Sequence, residues 1–335
     1  MPYQLEIPVV FIIFNRPDAT RKSFESIRRA RPKQLFVIAD GPRLHKPDDK
    51  SLCAETRAIV DKIDWDCELL RNYAEENMGC KERIISGLTW VFDQAEQAII
   101  VEDDCIPHLT FYQFCQELLH RYKDDEDIAI ISGSGYPPKR KDIEGSYYLS
   151  KFPHIWGWAT WRRIWEKYES NLSSWPDSKQ AIQEFLGDAL CYAPHIKRFE
   201  EAYVNQDDLM WDYMLVYSLY KNKGYSIAPR CNMVTNIGFA LDALHTKNIF
   251  SRESRRPVYP MPFPLTHPTA LEFKIEKDQK EHVYLSRDFW GKFGHKVYAV
   301  YRHIADNPWW FVYRVLIWPI RIARKAGILP KKATR

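Results

Sequence analysis

Three consecutive carboxylates, Glu102, Asp103 and Asp104, directly follow an apolar run at residues 98–101. An apolar run rich in β-branched residues is typical of a strand buried on both faces of a sheet. The pattern therefore predicts a strand that delivers acidic groups to the edge of a sheet. Adjacent carboxylates repel one another, and a hard divalent metal bridging a nucleotide diphosphate would relieve that repulsion. The alternative is an acidic turn that binds nothing.

Two further polar residues, Arg16 and Asp40, also stand directly after predicted strands. Apolar runs at residues 8–14 and 34–39 precede them. Ligands of parallel α/β sheets bind outside the carboxyl ends of the strands. We therefore expect Arg16, Asp40 and the three acids to converge on one crevice, although either residue alone could serve a surface pair or a turn.

The first 140 residues alternate between strand and helix patterns, which predicts an α/β fold with a mainly parallel sheet flanked by helices. Strands are expected near residues 8–14, 34–39, 67–73, 98–101 and 128–132, and helices near residues 19–30, 51–63, 81–97 and 111–122.

Beyond residue 140 the chain becomes rich in aromatic residues. Trp156, Trp158 and Trp161 are expected in the core rather than stacked on a sugar. Gly157, between two tryptophans, would permit close approach of the backbone to a ligand. Further along, Asp212 stands beside Trp211, and Asp207 and Asp208 lie about one helical turn before it; any of the three could cap a helix.

Composition excludes several classes of protein. Of the 335 residues, 45% are hydrophobic and 27% charged, as in a soluble globular protein. The net charge of +4 is modest and concentrated at the C-terminus, which argues against a nucleic-acid partner. The seven cysteines show no metal-binding spacing, and the start of the chain lacks the pattern of a signal peptide, so we expect reduced thiols in the cytoplasm.

The C-terminal region has its own character. Residues 251–268, rich in Pro and Arg, resemble a linker or a surface-wrapping segment. Residues 307–320 are apolar and aromatic, too short to span a bilayer, and followed by a basic stretch to residue 335. Such a tail suits a peripheral anchor on the cytoplasmic face of a membrane, or else a helix that packs on the domain or on a second copy.

An ordered set of short motifs resembles the bacterial nucleotide-diphospho-sugar transferases of GT-A fold related to the N-acetylglucosaminyltransferase I type. The resemblance covers about residues 7–246. Its motifs are Phe14-Asn15-Arg16-Pro17, Ala39-Asp40-Gly41-Pro42, Asn77-Met78-Gly79-Cys80-Lys81, Gly87-Leu88, Val101-Glu102-Asp103-Asp104, Trp156-Gly157-Trp158, Trp211-Asp212-Tyr213 and Asn236-Ile237-Gly238-Phe239.

The resemblance implies a role for each candidate residue. Asp104 matches the direct ligand of Mn²⁺ (or Mg²⁺), and Asp212 matches the general base of inverting members. The remaining candidates would bind the donor: Arg16 near the nucleotide, Asp40 on the pyrimidine ring, Glu102 and Asp103 around the ribose, Gly157 near the donor sugar, and Lys81 at a base-contacting position where the family has a different side chain.

The resemblance further implies a Rossmann-like GT-A sheet with a donor-binding half (residues 1–140), an aromatic-rich acceptor and catalytic half (141–246), and a C-terminal helical extension with a basic amphipathic tail (247–335). The expected activity is metal-dependent, inverting transfer of a hexose or N-acetylhexosamine from a nucleotide-sugar, UDP-linked, to a glycan or lipid-linked acceptor in polysaccharide biosynthesis. A nucleotidyltransferase is one alternative, although Phe14 to Pro17 contains no glycine for a phosphate loop. A non-catalytic sugar-binding module is the other.

Overall fold

The computed structural model describes residues 4–187, 189–238 and 256–286. These residues belong to one compact unit. Within them, no helix is long and apolar enough to cross a bilayer. The basic tail lies outside the described residues, so its membrane contact stays a prediction.

Eight strands of the described chain form one sheet in the order β3-β2-β1-β4-β8-β6-β9-β7, and β5 pairs with β10 in a second, small sheet. Only β8 and β7 run antiparallel to their neighbours, so the sheet is mainly parallel, as the alternation of elements predicted. The strands are β1 (Val9–Ile13), β2 (Gln34–Ala39), β3 (Glu68–Tyr73), β4 (Gln97–Glu102), β5 (Cys105–Pro107), β6 (Ile128–Ser132), β7 (Tyr147–Ser150), β8 (Trp158–Trp161), β9 (Tyr225–Pro229) and β10 (Val234–Asn236).

Helices connect these strands. They are α1 (Pro17–Ala30), α2 (Asp49–Ile59), α3 (Cys80–Phe92), α4 (Leu109–Arg121), α5 (Arg162–Trp165), α6 (Trp175–Leu186), α7 (Ala193–Asn205), α8 (Trp211–Lys221) and α9 (Ile275–Ser286). Helix α1 starts two residues earlier than expected because Pro17 is well suited to the first helical position. Helix α3 ends earlier than expected because Gln97 already pairs with Trp161 in the sheet.

The core explains why these runs become strands. All five residues of β1 are buried, and β1 pairs in parallel with both β2 and β4. Helix α3 packs closely on this sheet at Gly87, where an added Cβ would lie 2.6 Å from Ile38 Cγ2. A side chain at this position would therefore push the helix off the strands.

The aromatic segment continues the same sheet past residue 140. Strand β8 inserts between β4 and β6 and runs antiparallel to both. Trp158 and Trp161 are buried, and Trp156 is partly buried against the same core, which confirms that these tryptophans are core residues. Residues 256–268 include the buried side chains of Arg256, Met261 and Leu265, so this part of the Pro-rich segment packs onto the domain.

Helix α9 is docked through two fully buried carboxylates, Asp278 and Glu281. Asp278 Oδ2 accepts hydrogen bonds from the Lys151 amide (2.9 Å) and from the Tyr192 hydroxyl (2.6 Å). Glu281 pairs with the His154 imidazole. Burial, and next the charge of Glu281, raise the pKa of Asp278 to about 6. The folded state therefore pays to hold Asp278 ionised at neutral pH.

We predict that Asp278→Asn changes how stability depends on pH. Because the pKa of Asp278 is raised on folding, from 3.8 to about 6, wild-type stability from this group is largest at low pH and is lost as pH rises through that window. The difference in unfolding free energy, wild type minus variant, should rise by about 2 kcal/mol between pH 7.5 and pH 4.5. Urea denaturation of both proteins measures it, and parallel pH curves would contradict the prediction.

Candidate active site

The predicted site residues meet at the carboxyl edge of the parallel strands. Arg16 follows β1, Asp40 follows β2, and Glu102 ends β4. Ile13 is in register with Ala39, and Ile12 with Glu102, so the three strands end at nearly the same level. The convergence expected from the sequence is therefore present for these residues.

Arg16 joins the acids across this edge. Its guanidinium pairs with the Asp103 carboxylate and lies 3.0 Å from Asp104 Oδ2. Although desolvation opposes the charged form, the charges of Asp103 and then Asp104 raise the pKa of Arg16. The side chain keeps about a third of its surface exposed (37%), so a ligand can still reach it.

Asp103 is the most enclosed of the three acids. Its backbone N–H donates to the Ile12 carbonyl (2.9 Å), and its carbonyl accepts from the Ser23 hydroxyl (2.8 Å). Burial raises the pKa of Asp103 to about 6, and the nearby Arg16 charge limits that rise. The buried Asp103 carboxylate thus orients the Arg16 guanidinium. The contact of Asp103 with a ribose stays a prediction.

Asp104 is held by residues far along the chain. Asn236 Nδ2 donates to Asp104 Oδ1 (3.2 Å), and the Ile237 N–H donates to the Asp104 carbonyl (2.8 Å). An added Cβ on Gly238 would lie 2.2 Å from Asp104 Oδ2, so a side chain at this position would force the Asp104 carboxylate to shift. The short pairing of β5 with β10 brings these residues together. Asn236 and Gly238 are not among the site residues predicted from the sequence, although both belong to one of the motifs that carry the family resemblance.

The electrostatics of Glu102 bear on the metal prediction. Burial, and then the charges of Asp104 and Asp103, raise the pKa of Glu102 to about 8. Within residues 4–187, 189–238 and 256–286, no group of three or more His, Cys, Asp or Glu side chains is placed to hold a metal ion. Mg²⁺ is commonly bound by one or two carboxylates, with water and substrate phosphates as the other ligands. Asp104, the predicted metal ligand, fits that partial donor set.

Asp212 lies in the first turn of α8, within electrostatic range of the sheet edge. Its charge contributes to the raised pKa of Glu102 and of the Cys80 thiol. The pKa of Cys80 rises to about 12, first through desolvation and then through the charges of Glu102, Asp212 and Asp40. Cys80 is not among the site residues predicted from the sequence, but it lies close enough to three of them for their charges to act on its thiol.

The two alternatives to Asp212 are engaged in ion pairs. Asp207 lies 3.2 Å from the Arg198 guanidinium, and Asp208 pairs with the Lys81 amine. Lys81 was predicted to contact a nucleobase; in this structure its amine binds Asp208.

Asp40 organises a loop. Its Oδ1 accepts from the Gly41 N–H (2.8 Å) and the Met78 N–H (2.9 Å). Its Oδ2 accepts from Asn77 Nδ2 (2.9 Å) and the Gly79 N–H (3.1 Å). Both oxygens are therefore occupied by the turn that leads into α3, and the contact of Asp40 with a pyrimidine stays a prediction.

Gly157 adopts a left-handed backbone, with φ of +65°. Its carbonyl accepts from the Gly133 N–H (2.8 Å), and an added Cβ would lie 2.8 Å from Val234 Cγ2. Conformation and packing both require glycine here, and its approach to a donor sugar stays a prediction.

Comparison with known proteins gives similarity to solved structures only. No family model matches the chain, and no curated protein matches it. One similar structure is a mannosyltransferase, PcManGT from Pyrobaculum calidifontis in complex with GDP-Man and Mn²⁺, with 14% identity and a TM-score of 0.37 over 65% of this chain and 70% of that one.

Two other similar structures have lower TM-scores and cover less of this chain. A UDP-glucose pyrophosphorylase complexed with UDP-glucose is 11% identical, with a TM-score of 0.31 over 50% of this chain and 82% of that one. TarS 1-349 of S. aureus is 14% identical, with a TM-score of 0.35 over 48% of each chain. Similarity at this level does not identify the reaction that this chain catalyses.

We predict that Asp40→Asn destabilises the fold. Each carboxylate oxygen accepts from two N–H donors, so whichever oxygen is replaced by an amide nitrogen, two hydrogen bonds to a charged group would be lost. At about 1.5–3 kcal/mol each, the loss in unfolding free energy should be on the order of 3 kcal/mol. Urea denaturation measures it, with exposed Asp18→Asn as the control. A variant as stable as wild type would show that Asp40 is not needed to hold the loop.

Proposed function

We propose that this protein is a metal-dependent, inverting glycosyltransferase that moves a sugar from a nucleotide-diphosphate donor to a glycan or lipid-linked acceptor. The observation that supports this most directly is the meeting of Arg16, Glu102 and Asp104 at one sheet edge, with Asp212 in electrostatic range on α8. The ordered motifs of the N-acetylglucosaminyltransferase I type support the same assignment.

On the donor side, the negative charge of a diphosphate needs cationic partners. Arg16 is anchored by Asp103 and still exposes part of its guanidinium, so it can meet a phosphate oxygen without losing its buried partner. Asp104 would hold the divalent cation, which when bound offsets charge on the departing diphosphate. Glu102 and Asp103 would lie near the donor ribose. Burial, and then the charges of Asp104 and Asp103, raise the pKa of Glu102 to about 8. A divalent cation bound at this edge would offset that concentration of negative charge.

On the acceptor side, a hydroxyl must lose its proton while it attacks the anomeric carbon. Asp212 would accept that proton, since a carboxylate within hydrogen-bond reach suffices for general base catalysis. A single base opposite the leaving group gives inversion in one displacement.

The finer parts of the proposal come from the resemblance and the sequence. They are a UDP-linked donor, transfer of a hexose or N-acetylhexosamine, and separate donor and acceptor halves that divide near residue 140. A lipid-linked acceptor would suit the basic tail at residues 307–335, through which the enzyme would lie on the cytoplasmic face of a membrane.

We predict that Asp104→Asn abolishes metal-dependent turnover without unfolding the protein. The amide still fills the space between Asn236 and Gly238 but is a poorer ligand for a hard cation. Turnover of nucleotide-sugars with Mn²⁺ should fall on the order of 100-fold or more. The rise in melting temperature caused by Mn²⁺ with UDP should also disappear.

The matched control is Asp124→Asn, because that carboxylate is exposed and lies beside the neighbouring Lys123. Normal activity of Asp104→Asn at saturating Mn²⁺ would remove Asp104 from the metal site. Release of UDP from wild type supports glycosyl transfer, pyrophosphate exchange would identify a nucleotidyltransferase, and binding without turnover would identify a sugar-binding module.

We predict that Asp212→Asn lowers kcat by about 100-fold or more and leaves the Kd for donor within about twofold. A base acts only on the acceptor in the transition state, so donor binding should be unaffected. Asp207→Asn and Asp208→Asn provide the comparison and should lose far less. If donor affinity falls and kcat survives, Asp212 is a donor-side residue and the base must be sought among its neighbours.

A further inference from the structure

The ion pair of Lys81 with Asp208 joins two elements that are 127 residues apart. Lys81 stands in the first turn of α3, next to Cys80, and only 13% of its side chain is exposed. Asp208 lies in the loop before α8 and is 79% exposed. The fixed partner is therefore Lys81, and the pair holds a surface loop against the site.

The loop leads directly to Asp212. Leu209 and Trp211 are buried, and the Trp211 ring stacks on Trp158 with ring centres 6.4 Å apart. The Tyr168 hydroxyl donates to the Trp211 carbonyl (3.3 Å). These contacts hold Leu209 and Trp211 in place independently of the ion pair, so loss of the pair should loosen the start of α8 without displacing Trp211.

A second ion pair in the same loop, between Asp207 and Arg198, does not involve α3. Asp207 binds Arg198 of α7, nine residues earlier, and both side chains are about equally exposed, at 43% and 41%. This pair closes the end of α7 on its own loop and makes no bridge to α3. It therefore offers a matched control for the loss of a cation beside the loop.

We propose that Lys81 is a positioning residue for Asp212, and that it acts through Asp208 rather than by contact with the nucleobase. The inference rests on the proposed function, because it takes Asp212 as the general base. Cys80, adjacent to Lys81, lies close enough to Glu102 and Asp212 for the charges of both to act on its thiol. The start of α3 therefore borders both the acids at the sheet edge and the start of α8. The ion pair links this border to the loop that leads into α8.

The expected effect is moderate. A misplacement of about 1 Å can cost about 100-fold in rate, but a partly exposed ion pair is weak and its loss leaves the buried contacts of Trp211 intact. Lys81→Met and Asp208→Asn should each lower kcat by about 5- to 10-fold and leave the donor KM within about twofold. The double variant should be no worse than either single variant, because both remove one interaction.

The exchanged pair, Lys81→Asp with Asp208→Lys, should recover a substantial part of the lost kcat, which loss of general stability would not explain. Arg198→Met should keep kcat within about twofold of wild type. A tenfold rise in donor KM for Lys81→Met with unchanged kcat would overturn the inference and favour nucleobase contact. Additive losses in the double variant would overturn it as well.

Hydrogen exchange tests the positioning without any assay of activity. The Met214 N–H donates to the Met210 carbonyl (3.1 Å) in the first turn of α8. Lys81→Met and Asp208→Asn should speed exchange in a peptide covering residues 209–216, and Arg198→Met should not. Unchanged exchange in the first two variants would contradict the inference. If wild type turns over no nucleotide-sugar but exchange responds as expected, only the proposed function fails.

Discussion

The mutual repulsion of Glu102, Asp103 and Asp104 is the constraint on which the candidate site depends. A buried strand ends at these acids, so water screens them poorly, and the pKa of Glu102 rises to about 8 in consequence. The only cation that the described residues place against two of the three is Arg16. Arg16 in turn must stand at the start of α1, where its carbonyl accepts from the Thr20 N–H (2.9 Å), and no side chain caps that helix. The entry of α1 is thus shaped by the charges opposite it.

Helix α9 also carries buried acids, Asp278 and Glu281, but different groups bind them. Its two buried acids find neutral donors, the Lys151 amide and the Tyr192 hydroxyl, together with the His154 ring. Nothing in these contacts leaves the carboxylates open to a ligand. At the sheet edge, by contrast, the acids are stabilised by one cation that is itself partly exposed. Acidic side chains with shifted pKa values beside a partly exposed cation are characteristic of functional sites.

Local patterns predicted the parts of this molecule that local physics determines. The apolar run before Glu102 is a strand, and the alternation of elements is a mainly parallel sheet. Contacts between distant residues could not be read in the same way. The bond from Asn236 to Asp104 spans 132 residues, and the pair of Lys81 with Asp208 spans 127. No periodic pattern predicts either contact, because each contact exists only once the sheet has brought the two segments together.

One feature of the sheet explains how α8 reaches the acids. Strand β8 inserts antiparallel beside β4, with Trp158 in register with Ile100, two residues before Glu102. Trp158 is fully packed and provides the surface on which Trp211 stacks. Asp212 follows Trp211, so the register of one strand pair sets where a carboxylate on a distant helix lies relative to the sheet edge. A slip of this register would turn Trp158 to the other face and remove the support beneath α8. The chemistry proposed for Asp212 therefore depends on a packing contact between two tryptophans.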